Sequence, residues 1–197
     1  DELARYAKMF GLGKKTEIGL LNEKEGLVPS NAWKQATLKE QWYRGETPLL
    51  AIGQGYLTVT PLQVINMINI LANYGLWVPP KLYAGQWTQV PVHLSLNPEY
   101  LERIRNGMVA VVNEPGGTAG AVRIEGFTVA GKTATSQVVS HETLETLDEE
   151  AREDRSLQNH GWFVAFGPAE DPEVSVVVLI EHGGAGSRSA APVAKKI

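Results

Sequence analysis

Residues Val129-Ala130-Gly131-Lys132-Thr133-Ala134-Thr135-Ser136-Gln137-Val138 bring one ammonium and three hydroxyls into a single short, extended segment. Strand side chains alternate between faces, so Lys132 and Ala134 share one side while Thr133 and Thr135 share the other. A strand that runs from apolar to polar, carrying a lysine beside hydroxyls, suits recognition of a carboxylate next to a reacting carbonyl. On its own, Lys-Thr-Ala-Thr is a weak signal. The competing reading of Lys132 is an exposed lysine that guards a sheet edge against aggregation.

The surrounding chain must supply the elements that hold this segment. Asp1 to Phe10 has helical spacing, with Leu3, Tyr6, Ala7 and Phe10 on one face, and Gly11 and Gly13 end it. Lys14 to about Gln54 reads as an ordered loop region with a short helical turn after Ser30. Thr60-Pro61 opens a helix to Asn73 that is apolar nearly all round. A stripe of Gln63, Asn66, Asn69 and Asn73 is its polar part, and these amides read as structural hydrogen-bonding groups in a core helix. Residues 78–94 alternate weakly, as a hairpin or surface arm. Asn97-Pro98 reads as an N-cap with proline at the first helical position. The helix it starts runs to about Asn113, with Leu101, Ile104, Met108 and Val111/Val112 on its buried face.

Glu114 to Gly120 is turn chemistry, and three strands follow at about 127–139, 161–167 and 174–182. The last, rich in Val174, Val176, Val177, Val178, Leu179 and Ile180, has the near-continuous apolar run of a central strand buried on both faces. Between the first two strands, 141–159 is an acidic stretch that reads as a solvated, mobile connection. Leu144, Leu147 and Ala151 are spaced for a short amphipathic helix within it. Gly183 to Gly186 is a sharp strand-to-helix turn, and Ser187–Ile197 a terminal helix.

The Lys132 segment resembles the Lys-Thr/Ser-Gly box of penicillin-binding proteins and serine β-lactamases, with Ala134 in place of glycine. The resemblance to class B penicillin-binding proteins, the elongation type in particular, runs along the whole chain. It is carried by Phe10-Gly11-Leu12-Gly13 with Thr16-Glu17-Ile18-Gly19-Leu20, Pro29-Ser30-Asn31-Ala32-Trp33-Lys34 and Trp42-Tyr43-Arg44-Gly45-Glu46-Thr47. Ala51-Ile52-Gly53-Gln54-Gly55-Tyr56, Val59-Thr60-Pro61-Leu62-Gln63, His160 to Pro168 and Glu181 to Gly186 continue it in matching order. The family's Ser-x-x-Lys nucleophile box is absent from this sequence. Its only Ser-x-Asn, Ser95-Leu96-Asn97, lies too far along to be the second box. The expectation is therefore the C-terminal portion of one transpeptidase domain, residues 1–197.

That resemblance implies an α+β fold of the penicillin-binding-protein and serine β-lactamase type, an antiparallel sheet flanked by helices. In that fold the sheet has five strands, and the chain's last strand pairs with an N-terminal strand lying outside this chain. The implied reaction is D,D-transpeptidation: a serine outside this chain attacks the terminal D-Ala-D-Ala of a peptidoglycan stem peptide, and a neighbouring amine resolves the acyl-enzyme. Lys132 would supply positive charge and assist proton transfers. Thr133 and Thr135 hydroxyls would hold the substrate carboxylate, with Ala134 and Ser136 lining the same strand. The Thr135 N–H would be one arm of the oxyanion hole.

The resemblance also implies β-lactams as ligands, a polymerising glycosyltransferase of the SEDS type and other elongation-complex proteins as partners, and no cofactor. The implied location is the outer face of a bacterial cytoplasmic membrane, with the anchor outside this chain. A β-lactam-sensing receptor or an inactive scaffold on the same fold are the alternatives. A methyl at Ala134 narrows the approach of a substrate backbone.

Other patterns carry less. Gly11-Leu12-Gly13-Lys14-Lys15-Thr16 is close to a phosphate loop, but residue 8 is lysine where that loop needs its first glycine. Gly53-Gln54-Gly55 lacks the third glycine of a dinucleotide fingerprint. His93, His141, His160 and His182 have no metal-ligand spacing, and His160 at a strand start reads as structural. A net charge of −4 gives no nucleic-acid footprint, and the absence of cysteine excludes disulfides and thiolate sites. Apolar content of 43% with 20% charge is ordinary for a folded domain.

Overall fold

The computed structural model describes residues 1–86, 89–139, 141–148 and 154–197. The chain divides into two compact units, Asp1–Leu96 and Asn97–Ile197.

The first unit is helical and loop-rich. Helix α1 (Glu2–Met9) leads through Gly11 and Gly13, both at positive φ, into an irregular segment. Ala4 and Leu12 are buried there with Val28. The stretch expected to be mostly loop contains two helices, α2 (Asn31–Leu38) and α3 (Glu46–Ala51). Ser30 starts α2 as its N-cap, its hydroxyl accepting the Trp33 N–H at 3.1 Å. Helix α4 (Pro61–Ala72) has the N-terminus its sequence announces. The Thr60 hydroxyl accepts the Gln63 N–H while the Gln63 side chain accepts the Thr60 N–H, with proline at the first position.

The amides of α4 face inward. Gln63 is wholly buried and donates to the carbonyls of Lys14 and Glu25, both at 2.7 Å. Asn66 is buried as well, and Ile68, Ile70 and Leu71 complete the covered surface. The 78–94 arm is tied by a two-residue ladder between β1 (Leu76–Trp77) and β2 (Val92–His93).

The second unit is a layered α+β structure. Helix α5 (Pro98–Asn113) is capped by Asn97, whose side chain accepts the Glu99 N–H at 2.9 Å. Its buried residues are Leu101, Arg105, Met108 and Val112, whereas Ile104 is 47% exposed. Position 104 was expected inside, and Arg105 takes the place. Its guanidinium donates to the Ala169 carbonyl at 2.6 Å and lies 4.9 Å from the centre of the Phe166 ring. An arginine is tolerated there because its hydrogen bonds and its aromatic neighbour are built in.

Strands β3 (Ala130–Ser136), β4 (His160–Gly167) and β5 (Val174–Ile180) form an antiparallel sheet in the order β3-β4-β5. Among the described residues β4 is the middle strand of the three. Five consecutive residues of β4, Phe163 to Gly167, are buried, while Val174 at the start of β5 is exposed and Val178 is its one buried residue. Among the described residues β5 has a partner on one side only. One face of the sheet packs on α5 and on α7 (Ala190–Ala194), through Phe163, Ala165 and Val178 against Val112, Ala190 and Ala191. The terminal helix is shorter than its sequence suggested. The acidic connection contains α6 (His141–Thr146) and a 3-10 turn at Arg155–Leu157. Residues 149–153, including Ala151 of the suggested amphipathic face, lie outside the described residues. Among the described residues no helix is long and apolar enough to cross a membrane.

Candidate active site

The whole Lys132–Ser136 segment lies on β3, which pairs with β4 alone among the described residues. The register sets Lys132 opposite Val164, Thr133 opposite Phe163, Ala134 opposite Trp162, Thr135 opposite Gly161 and Ser136 opposite His160. By strand alternation Thr133 and Thr135 are on the side of Phe163, and Lys132, Ala134 and Ser136 on the other. The strand enters the segment buried, at Ala130 and Gly131, and leaves it open: Lys132, Ala134 and Thr135 are exposed, Thr133 and Ser136 half-buried.

Each end of this strand is positioned by a glycine that admits no side chain. A Cβ on Gly131 would come within 2.8 Å of the Phe163 ring and 3.1 Å of Val112. The strand therefore lies close on the core just before Lys132. At the other end, a Cβ on Gly186 would stand 2.1 Å from the Trp162 carbonyl oxygen and 2.4 Å from that of Ala134. One on Gly161 would meet the Ser189 hydroxyl at 2.2 Å. The Gly183–Gly186 turn and the start of α7 are thus seated directly on backbone of β3 and β4.

Polar contacts complete the arrangement. The Lys132 ammonium donates to the Thr133 carbonyl, its own neighbour on the strand. The hydroxyls of Thr133 and Thr118 are 2.9 Å apart. His160 serves the turn, as its sequence position suggested: its Nδ1 accepts the His182 N–H at 2.9 Å, and the two rings meet edge to face at 4.7 Å. The Gly184 N–H donates to the Asn159 carbonyl at 2.8 Å, tying the same turn to the start of β4.

Thr118 is the residue that sequence reasoning passed over. Its signal was present, a lone hydroxyl within a Gly-Gly-Thr turn directly after a helix, but nothing in sequence distance links it to Thr133. The Gly11–Thr16 loop, by contrast, is already filled from within. The Glu23 carboxylate accepts the N–H groups of Thr16 and Glu17 at 2.6 and 3.2 Å, where a phosphate loop would present free donors.

An open strand edge bearing an ammonium and hydroxyls can bind an extended peptide through its main chain while fixing a carboxylate with its side chains. Residues 1–197 match the family model described as penicillin binding protein transpeptidase domain. The chain belongs to that family. It is 35% identical over 206 residues to the peptidoglycan D,D-transpeptidase MrdA of Acinetobacter baumannii, covering 98% of this chain and 30% of that protein. The Escherichia coli K12 protein of the same name is 34% identical over 197 residues, covering 94% of this chain and 31% of the relative. The chain thus spans about a third of the length of these relatives.

Among solved structures, Pseudomonas aeruginosa PBP2 in complex with WCK 5153 superposes with a TM-score of 0.82 at 36% identity, over 100% of this chain and 41% of that one. Helicobacter pylori PBP2, solved in complex with MreC, superposes with a TM-score of 0.81 at 30% identity, over 98% of this chain and 36% of its own. The expected α+β transpeptidase fold is the one observed.

Proposed function

We propose that this chain forms the carboxylate-binding side of the active site in a peptidoglycan D,D-transpeptidase of the MrdA type. The observation that carries the reading is the Lys132–Ser136 segment on an open β-strand edge, within a chain that matches the transpeptidase family from end to end. The substrate is a stem peptide ending in D-Ala-D-Ala, lying antiparallel or parallel along β3. Thr133 and Thr135 hydroxyls hold its terminal carboxylate, and the Lys132 ammonium supplies the compensating charge and eases proton transfer at the nucleophile. The Thr135 N–H stabilises the tetrahedral oxyanion, a donor whose removal costs about 2.7–4 kcal/mol in such sites. β-Lactams occupy the same place because they present a carboxylate beside a strained carbonyl.

The nucleophile comes from sequence beyond the 197 residues, since no Ser-x-x-Lys occurs in them. The relatives matched along the whole chain carry transpeptidase names, which favours an enzyme over a sensor or a scaffold. A partner in the elongation complex is supported by the Helicobacter pylori relative solved in complex with MreC.

Labelling with fluorescent penicillin tests the reading. The full-length protein is expected to be labelled on a serine outside this chain. The variant Lys132→Ala is expected to lose labelling by at least a hundredfold with its fold intact, because the side chain is exposed. Near-normal labelling of that variant would reduce Lys132 to a surface lysine.

A further inference from the structure

Thr133 is half-buried, and its hydroxyl has a partner 2.9 Å away in Thr118. Thr118 is not loosely placed. It sits between two clamps that fold the chain back onto the end of α5. The Gly117 N–H donates to the Glu114 carbonyl at 3.1 Å, and the Ala119 N–H to the Val111 carbonyl at 3.0 Å. Gly116 takes a φ of +84°, a left-handed conformation that glycine adopts without strain. A Cβ on Gly117 would lie 2.3 Å from the Val111 carbonyl oxygen, so the turn is pressed against the helix end as closely as backbone allows. Ala119 is buried in the core with Val112 and Phe163. Core, helix end and turn therefore all fix the position from which the Thr118 hydroxyl meets Thr133.

A hydroxyl carries one proton and two lone pairs. If Thr133 gave its proton to Thr118, only lone pairs would face a carboxylate, and the contact would be repulsive. If Thr118 gives its proton to Thr133, the Thr133 proton is left for the carboxylate oxygen. We propose that Thr118 is a positioning residue for substrate binding: it donates to Thr133 Oγ1 and so aims the Thr133 proton at the substrate's terminal carboxylate. Donation in this direction also strengthens Thr133 as a donor, since hydrogen bonds in a chain polarise one another. This inference rests on the reading of Thr133 as a carboxylate ligand given above.

The test compares acylation of the full-length protein by benzylpenicillin and by its methyl ester, in which the carboxylate is masked. The quantity read is the ratio of the two rates. Thr118→Val, close in shape but without a hydroxyl, is expected to lower that ratio about threefold to tenfold, through weaker binding of the free acid, in line with one lost hydrogen bond between neutral groups. Thr118→Ser is expected to restore most of it. A Thr118→Val protein whose penicillin-to-ester ratio is unchanged would overturn the proposal, because a merely structural defect slows both acylations alike. Thr133→Val separates the two levels of inference. If Thr133→Val collapses the ratio and Thr118→Val does not, the role of Thr118 fails while the carboxylate site stands. If Thr133→Val leaves the ratio intact, the carboxylate reading of the segment fails, and the role of Thr118 with it.

Discussion

The two units differ in how far polar side chains take part in their order. In Asn97–Ile197 a three-stranded sheet lies on two helices, and its centre is apolar: Phe163, Ala165, Val178, Val112 and two alanines of α7. In Asp1–Leu96 the wholly buried side chains include polar ones, Lys34 and Gln63. Gln63 pins two loop carbonyls, and Lys34 gathers Glu46 at 2.6 Å, Glu40 at 3.4 Å and the Tyr43 ring at 4.2 Å. An apolar layer is non-directional and needs only matching surfaces. A long irregular segment has backbone groups to satisfy and little repeating geometry to satisfy them, so single side chains with many donors take that task.

The contrast can be broken most forcefully in the apolar unit. Phe163→Ala removes a ring packed under Gly131 and Val112, and is expected to cost about 3–5 kcal/mol, read as a fall in the urea midpoint. A loss below about 1 kcal/mol would mean that the sheet is not held by this layer. In the polar-anchored unit the corresponding change is Gln63→Met, which keeps volume but removes both donations and half of the α4 capping box. About 1–3 kcal/mol is expected, with faster amide exchange concentrated at residues 14–27. Uniformly faster exchange across the chain would contradict a local anchor.

The smallest effect sharpens the comparison through pH. The hydrogen bond from Lys34, with a further one from the Tyr43 N–H, holds the Glu46 carboxyl below its ordinary value. Burial pushes the Lys34 ammonium down, but its bonds to Glu46 and Glu40 outweigh this and leave it above the usual lysine value. The Glu46 contribution is therefore complete above about pH 4.3 and is lost as pH falls through the lower folded value. The Lys34 contribution is complete below about pH 10.4 and is lost as pH rises through the higher folded value. Trp33, whose ring centre is 5.3 Å from that of Tyr56, should report the acid change in its indole NMR signal. Glu46→Gln should abolish that acid limb, and an unaltered limb in the variant would assign it to another group.

How much the sequence disclosed follows the same division. Helices α4 and α5 were legible to within a residue or two, because caps and prolines mark them locally. The Lys132 segment was legible as chemistry. The strand order β3-β4-β5 was not, since strand composition reports burial in a whole sheet and not rank among the strands of one stretch of chain. Helix α2 was read only as a short turn after Ser30 and α3 was passed over for lack of a repeating apolar face, and Lys34, which ties α2 to Glu46 at the start of α3, is a residue type that composition assigns to the surface. Ile104 and Arg105 exchanged places because Arg105 has an acceptor in Ala169 that lies 64 positions away.

The seating of Gly186 on the carbonyls of Ala134 and Trp162 has a mechanical consequence. Where side chains separate two elements, rotamer changes act as springs and absorb small displacements. Here backbone rests on backbone, and no spring lies between the β5–α7 connection and the strand that carries Lys132. A shift of a few tenths of an ångström in that connection reaches Ala134 undamped. The far end of the chain is in this sense a rigid stop for the reactive strand, setting its position as a machinist's shim sets a gap.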